Sequence, residues 1–172
     1  MLDGLLERLF GPALEALARR VGASPVLPAV AGFLIGIAAL PLIALKLAPA
    51  GLAVLIASRI AAAAASAAAR VGGTFQAPLP VLDAVVLAGV PFAFALADPS
   101  RALAAAFLIF GLVAQSASRV ALGRGLVGQG EILIGFAVAC VFPDRFGIVA
   151  YIIGVLCFVA AGARIAAAGR AS

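Results

Sequence analysis

Histidine and tryptophan are absent from this chain of 172 residues, and methionine occurs only once. Without an imidazole the chain cannot build a Ser-His-Asp triad, a Cys-His pair or a histidine-ligated zinc site. Charged residues are also scarce: they make up 11% of the chain, where a soluble domain carries roughly 25% to cover its water-facing surface. Most of the surface must therefore face lipid, and the composition predicts a membrane protein.

Six apolar segments account for most of the chain, and each is close to the roughly 17–25 residues that cross a bilayer as a helix. We expect an all-α integral membrane protein with membrane-spanning helices at about 25–45, 49–69, 79–97, 101–119, 129–143 and 146–167. No linker or soluble segment interrupts this pattern. Residues 1–172 are therefore expected to form one domain, with the six-helix bundle at 25–167.

Residues 1–21 carry apolar side chains at helical spacing on one side and charged side chains on the other. This pattern predicts an N-terminal amphipathic helix that lies in the membrane interface ahead of the bundle. The alternative is a helix that packs its apolar side on a soluble partner.

Basic residues indicate the orientation in the membrane. Six spans put both termini on one side, and cytoplasmic loops are enriched in Lys and Arg. With the termini in the cytoplasm, eight basic residues lie inside, namely Arg8, Arg19, Arg20, Arg70, Arg119, Arg124, Arg164 and Arg170. Three lie outside, namely Lys46, Arg101 and Arg145. We therefore expect a multi-pass protein of the inner (cytoplasmic) membrane with both termini cytoplasmic, and the net charge of +5 does not indicate nucleic acid binding.

Small residues predict close packing between helices. Gly32 and Gly36 form a GxxxG pattern, and residues 61–69 are all alanine except Ser66. Both features allow helix backbones to approach each other closely, and we interpret them as internal packing. Cys140 and Cys157 lie at depths that differ by more than about 10 Å, which is too far for a disulfide bond, so we expect two buried thiols.

Ionisable residues inside apolar segments are the first candidates for function, because a charge in hydrocarbon is costly unless it is paired or hydrated. Arg59 lies about halfway along the second segment and needs a partner or a water-filled space. Five others lie at or near the expected cytoplasmic ends of the segments, namely Arg70, Asp83, Arg119, Arg124 and Glu131. We expect them to line one cleft suited to a phosphate or an anionic lipid head group. The alternative is that each of the five marks only the end of a helix.

The layout resembles the CDP-alcohol phosphotransferase family. Members of that family are integral membrane enzymes of phospholipid synthesis, with an interfacial helix, six membrane-spanning helices and commonly a homodimeric state. Residues 19–25 (RRVGASP) resemble the entry into the family's first span. Residues 128–133 (GQGEIL), 140–143 (CVFP) and 150–157 (AYIIGVLC) resemble its last two spans, so the resemblance covers the whole chain.

The family signature, D-x2-D-G-x2-A-R-x8-G-x3-D-x3-D, holds two divalent cations that clamp the pyrophosphate of a CDP-lipid. Aligned on Ala69-Arg70, the four aspartate positions become Ala62, Ala65, Asp83 and Leu87, and the two glycines become Ser66 and Leu79. A second register makes Asp83 the fourth aspartate and Leu79 the third. Three of four carboxylates are missing in either register, and one carboxylate cannot neutralise two metal ions.

The resemblance therefore implies a homologue that has lost most of its catalytic ability and retains lipid or phosphate binding. It puts Asp83 at the catalytic position, and we expect phosphate-binding roles for Arg59, Ser66, Arg70, Arg119, Arg124 and Glu131. No cofactor is expected unless the protein is active, in which case it would need Mg²⁺. The expected partners are membrane lipids, a CDP-lipid or anionic head group, a second copy or an active paralogue, and no nucleic acid.

Two alternative functions stay open. One is an active phosphotransferase that uses Asp83, Glu131 and the arginines in a non-standard site. The other is a small transporter, which the six apolar segments and the intramembrane Arg59 suggest.

Overall fold

The computed structural model describes residues 26–72, 79–122 and 129–170, and this part of the chain is almost entirely helical. Its helices are α1 (Val26–Ala44), α2 (Ala48–Gly72), α3 (Leu79–Ala97), α4 (Ala102–Leu122), α5 (Gln129–Val141) and α6 (Phe146–Ala168). Short 3₁₀ turns at Pro99–Arg101 and Pro143–Arg145 lead into α4 and α6. The helices closely match the predicted segments. The amphipathic helix predicted at 1–21 lies outside the described residues.

Four of these helices, α1, α2, α4 and α6, are long and apolar enough to cross a membrane, whereas the apolar parts of α3 and α5 are shorter. Large apolar side chains are exposed along the outside of the bundle, for example Leu103, Phe110 and Val159. A water-soluble protein rarely exposes so continuous an apolar surface, so the chain is an all-helical membrane protein.

The ends of the helices follow from local chemistry. Helix α1 stops because Lys46 adopts a left-handed backbone conformation, with φ of 64°. Its N–H donates to the Ile43 carbonyl and the next N–H donates to the Leu42 carbonyl, which satisfies two end carbonyls of the helix. Pro99 and Pro143 begin the two 3₁₀ turns, where a missing N–H costs nothing.

Contacts between helices arrange the bundle as a closed ring in the order α2, α1, α3, α4, α6, α5. The closest packing is within two pairs, α1 with α2 and α4 with α6. Helix α3 joins α1 to α4 on one side of the ring, and α5 joins α2 to α6 on the other. The four long helices thus form two tight pairs, and the two short helices link the pairs.

Glycines allow the close approach within both pairs. A Cβ atom on Gly32 of α1 would lie 3.2 Å from the carbonyl oxygen of Ser58 on α2. A Cβ atom on Gly111 of α4 would lie 3.0 Å from the carbonyl oxygen of Gly154 on α6. The prediction that Gly32 and Gly36 serve internal packing is therefore confirmed, because both face neighbouring helices of the same chain.

One apolar core runs through all six helices and fills the centre of the ring. The rings of Phe94 on α3 and Phe146 on α6 stack within it at a centroid distance of 4.4 Å. Cys140 and Cys157 are both buried and both free, as predicted.

The turn between α3 and α4 touches the turn between α5 and α6. Asp98 accepts hydrogen bonds from the Ser100 hydroxyl at 2.7 Å and from the Ser100 N–H at 3.0 Å. These bonds, and the nearby charge of Arg101, lower the pKa of the Asp98 carboxyl below its ordinary value. Arg101 also lies 3.7 Å from Asp144 in the other turn. Both turns therefore lie at the same end of the bundle.

Gly111→Ala is expected to destabilise the protein by about 1–3 kcal/mol, because the added methyl group meets backbone atoms of α6 that cannot move aside. Gly162→Ala on α6 is the matched control, since nothing lies within 4 Å of its Cβ position. It should be neutral or stabilising by up to about 1 kcal/mol through helix propensity. Thermal unfolding of both variants in detergent measures the difference, and equal midpoints would contradict the assigned α4–α6 packing.

Candidate functional site

An ion pair connects α2 to α3. Arg59 Nη2 donates to Asp83 Oδ1 at 2.5 Å, and the two side chains are only 13% and 20% exposed. Helices α2 and α3 otherwise contact each other little, because α1 packs against both. The predicted need of Arg59 for a partner is thus met by another predicted site residue.

A glycine on α1 brings the two charged residues within reach of each other. A Cβ atom on Gly36 would lie 2.7 Å from Val86 Cγ1 on α3 and 2.8 Å from Ser58 Oγ on α2. Ser58 precedes Arg59 in the chain, and Val86 lies one turn beyond Asp83. Because Gly36 has no side chain, α2 and α3 can both pack against the same position of α1.

Ser58 also connects α2 to α1 through a buried hydrogen bond. Its hydroxyl donates to the carbonyl oxygen of Gly32 on α1 at 2.7 Å. A buried hydroxyl that finds a carbonyl on the neighbouring helix avoids the cost of an unsatisfied polar group. The bond sets the rotation of α2, and with it the direction in which Arg59 projects.

Arg59, Ser66 and Arg70 lie along one side of α2. At about 100° per residue, these positions fall within about 40° of one another around the helix, and Arg59 and Arg70 are about 16 Å apart along its axis. Ala63 and Arg70 are exposed and Ser66 is half-buried, with its hydroxyl donating to the Ala62 carbonyl at 3.0 Å. We call Arg59, Ala63, Ser66 and Arg70 the α2 polar stripe.

The structure describes the other three predicted site residues only in part. Glu131 is half-buried in the first turn of α5, a helix that packs against α2. The side chain of Arg119 and the whole of Arg124 lie outside the described residues. The structure thus brings Arg59 together with Asp83 and puts Ser66 and Arg70 on the same side of α2. The wider cleft that includes Arg119, Arg124 and Glu131 stays a prediction.

A second polar cluster lies between α4 and α6, and the sequence reasoning missed it. Arg164 is buried, at 6% exposure, and its Nη1 donates to Ser118 Oγ at 2.8 Å and to the Gln115 carbonyl at 3.3 Å. Cys157 Sγ donates to Gln115 Oε1 at 3.1 Å, so this thiol is more than a small apolar side chain. Arg164 was counted with the loop charges although it lies within the apolar segment 146–167, and that position was the available signal.

The described residues contain no cluster of carboxylates and thiols that could hold a metal ion. Across residues 26–72, 79–122 and 129–170, no three His, Cys, Asp or Glu side chains are grouped so that they could hold a metal ion. The polar chemistry of this part of the chain is dominated by arginine, which suits the recognition of anions.

The Arg59–Asp83 pair is expected to contribute more to stability than an exposed ion pair, which is worth about 0.2–1 kcal/mol. Arg59→Gln and Asp83→Asn should each destabilise the protein, since each removes the opposite charge that the remaining residue faces between α2 and α3. The double variant should lose less than the sum of the two, and thermal unfolding of all four proteins in detergent measures the coupling. The pair Asp98 and Arg101, which lies in a turn at the end of the bundle and not between two helices, is the control cycle. A coupling energy larger for this control pair than for Arg59 and Asp83 would contradict the prediction.

Comparison with known proteins identifies a relative along nearly the whole chain. The inner membrane protein YnjF of Escherichia coli (strain K12) is 30% identical, and the alignment covers 96% of this chain and 94% of the relative. No family model matches the chain.

The predicted membership of the CDP-alcohol phosphotransferase family is wrong by these comparisons, because no family model matches and the relative is named only as an inner membrane protein. The resemblance depended on the general layout of the chain and on a small part of the signature. A layout of six apolar segments is not specific to one family, and of the four aspartates of the signature only Asp83 is kept. That residue pairs with Arg59, while Ala65 and Leu87, at two other signature positions, are buried in the bundle.

Proposed function

Since this chain belongs to the family of the Escherichia coli inner membrane protein YnjF, we propose that it crosses an inner membrane six times and binds a phosphate-bearing anionic lipid along the α2 polar stripe. Both termini lie in the cytoplasm in this proposal. The observation that carries it is the alignment of Arg59, Ser66 and Arg70 on one side of α2, with Arg70 exposed and the surrounding side chains small.

Six crossings are supported by the ring of helices. Helices α3 and α5 occupy places in the ring between the long helices, and each exposes large apolar side chains, such as Phe92 on α3 and Ile134 on α5. The turns after α3 and α5 meet at one end of the bundle, as an alternating path through the membrane requires. The excess of basic residues at the opposite end supports a cytoplasmic location for that end.

Lipid binding is supported by the charge and shape of the stripe. Arginine side chains recognise phosphate oxygens through paired, charge-assisted hydrogen bonds. Alanines between Arg59 and Arg70 allow a head group to approach the helix closely. Arg70 is in the last turn of α2, at the proposed cytoplasmic surface, where anionic head groups lie. An anionic lipid therefore finds its phosphate partners and its apolar surroundings in one place.

The proposed topology predicts the sides from which engineered cysteines react. In a background of Cys140→Ala and Cys157→Ala, Lys46→Cys and Asp144→Cys should react with a membrane-impermeant maleimide added to intact spheroplasts. Arg170→Cys, in the exposed turn after α6, should react only after the membrane is permeabilised. Labelling of Arg170→Cys from outside, or of only one of the other two sites, would contradict six crossings with cytoplasmic termini.

The proposed ligand predicts selective lipid retention. Native mass spectrometry of the purified protein in neutral detergent should show tighter binding of phosphatidylglycerol than of phosphatidylcholine with the same acyl chains. Arg70→Gln should weaken phosphatidylglycerol binding by about tenfold, the equivalent of one charge-assisted hydrogen bond of ~1.5 kcal/mol.

Arg101→Gln, at the other end of the bundle, is the matched control and should leave this binding unchanged. Equal affinities for the two lipids, or equal losses in the two variants, would refute the proposal. Displacement of the lipid by millimolar inorganic phosphate would point instead to a soluble phosphate as the ligand.

A further inference from the structure

The turn between α1 and α2 consists of Leu45, Lys46 and Leu47, and its central residue is the only lysine of the chain. The φ of Lys46, 64°, lies in the left-handed region that disfavours every residue with a Cβ atom. Glycine would close such a turn at lower cost and is the usual residue at this place after a helix. The chain contains 19 glycines, so a lysine here indicates a use for its side chain.

The two leucines of this turn are left uncovered by the protein. Leu45 is 71% exposed and Leu47 is 52% exposed. The 19 residues of α1 extend about 28 Å, close to the ~30 Å thickness of the hydrocarbon core of a membrane. When such a helix starts at one boundary of the core, the turn at its end lies at the other boundary and not out in water. Exposed leucines are favourable at that depth, because acyl chains cover them.

The backbone of the turn is suited to a layer that holds little water. All three of its N–H groups donate to carbonyl oxygens in the last turn of α1. The bonds run from Leu45 to Pro41, from Lys46 to Ile43 and from Leu47 to Leu42, at 2.9, 3.0 and 2.9 Å. These donors are satisfied within the protein, so placing them next to lipid avoids the cost of an unsatisfied polar group.

The turn between α1 and α2 lies at the same end of the bundle as the turn between α3 and α4. Helices α1 and α3 run parallel, since a Cβ atom on Gly36 would meet Val86 and a Cβ atom on Gly89 would meet Leu40. Arg70 is in the last turn of α2, at the opposite end of that helix from Lys46. Any ligand of Lys46 is therefore separate from a ligand of the α2 polar stripe.

We propose that the turn between α1 and α2 binds a phospholipid in the leaflet opposite to the α2 polar stripe, with the Lys46 ammonium on the lipid phosphate and the two leucines among the acyl chains. A lysine side chain is long enough to bring its charge to the phosphates while its carbon chain stays in apolar surroundings. The leucines select a lipid over a soluble phosphate, because only a lipid supplies apolar contacts. The conformational cost at Lys46 is offset by this contact.

The depth of the turn can be measured with spin labels in lipid bilayers. In a background of Cys140→Ala and Cys157→Ala, nitroxides on Leu45→Cys and Leu47→Cys are compared with one on Asp144→Cys, whose native side chain is 97% exposed. Power saturation should show more collisions with oxygen, and fewer with a water-soluble nickel chelate, for the two labels beside Lys46. Accessibilities equal to those of the control label would overturn the proposal.

The contact with a phosphate is tested by two variants that share the left-handed backbone. In an Arg70→Gln background, native mass spectrometry in neutral detergent compares phosphatidylglycerol with a digalactosyl lipid that has the same acyl chains and no phosphate. Lys46→Gln should lower the affinity for phosphatidylglycerol about tenfold, as expected for one charge-assisted hydrogen bond, whereas Lys46→Arg should keep it. The affinity for the digalactosyl lipid should be the same in both variants.

Equal phosphatidylglycerol affinities of Lys46→Gln and Lys46→Arg would overturn the proposal. Because Arg70 is replaced in every protein of this comparison, its result does not depend on whether the α2 polar stripe binds lipid.

Lys46→Gly separates the conformational cost of the lysine from its contact with lipid. In lipid-free detergent this variant should unfold at a higher temperature than the wild type, because glycine adopts a φ of 64° without a steric cost. Its affinity for phosphatidylglycerol should fall as in Lys46→Gln. An unfolding temperature no higher than that of the wild type, or an unchanged affinity, would contradict a lysine retained for lipid binding.

Discussion

The cost of a charge in apolar surroundings governs how this bundle is assembled. Arg59 lies near the middle of α2, where an unpaired guanidinium would cost several kcal/mol, and its partner comes from α3 at 2.5 Å. That pairing requires α2 and α3 to approach each other across α1. Gly36 makes the approach possible, because any larger side chain would collide with both neighbours. The ion pair between α2 and α3 therefore depends on the small residue at this point of α1.

The second half of the bundle also contains an arginine in apolar surroundings, Arg164, which is buried between α4 and α6. Arg164 directs its guanidinium to Ser118 Oγ and to the Gln115 carbonyl, both on α4. Gly111 and Gly154 bring the two helix backbones close enough for that reach. Each tight helix pair thus combines glycine contacts with a buried polar anchor, and the apolar core joins the two pairs. Close packing and polar satisfaction are the interactions available to helices in lipid, where the hydrophobic effect does not hold them together.

The helix boundaries were predictable because prolines, glycines and charges interrupt the apolar segments at regular intervals. The order of the helices around the ring was not, since it depends on which helix sides fit each other in three dimensions. Arg59 could be identified as needing a partner, but Asp83 is 24 residues away, and only the fold brings it there. Arg164 was assigned to the wrong environment because helical side chains lean towards the N-terminus of their helix. Its guanidinium therefore lies deeper in the bundle than its backbone.

Unequal helix lengths have a mechanical consequence for the surrounding bilayer. The 13 residues of α5 extend about 20 Å, whereas the 23 residues of α6 extend about 35 Å. The hydrocarbon core of a typical membrane is about 30 Å thick. In the proposed six-span arrangement, a bilayer that is thinner beside α5 than beside α6 would match the described lengths of the two helices. Lipids with short acyl chains would then need the least deformation on the α5 side, so the thickness of the surrounding bilayer would act on one side of the bundle more than on the other.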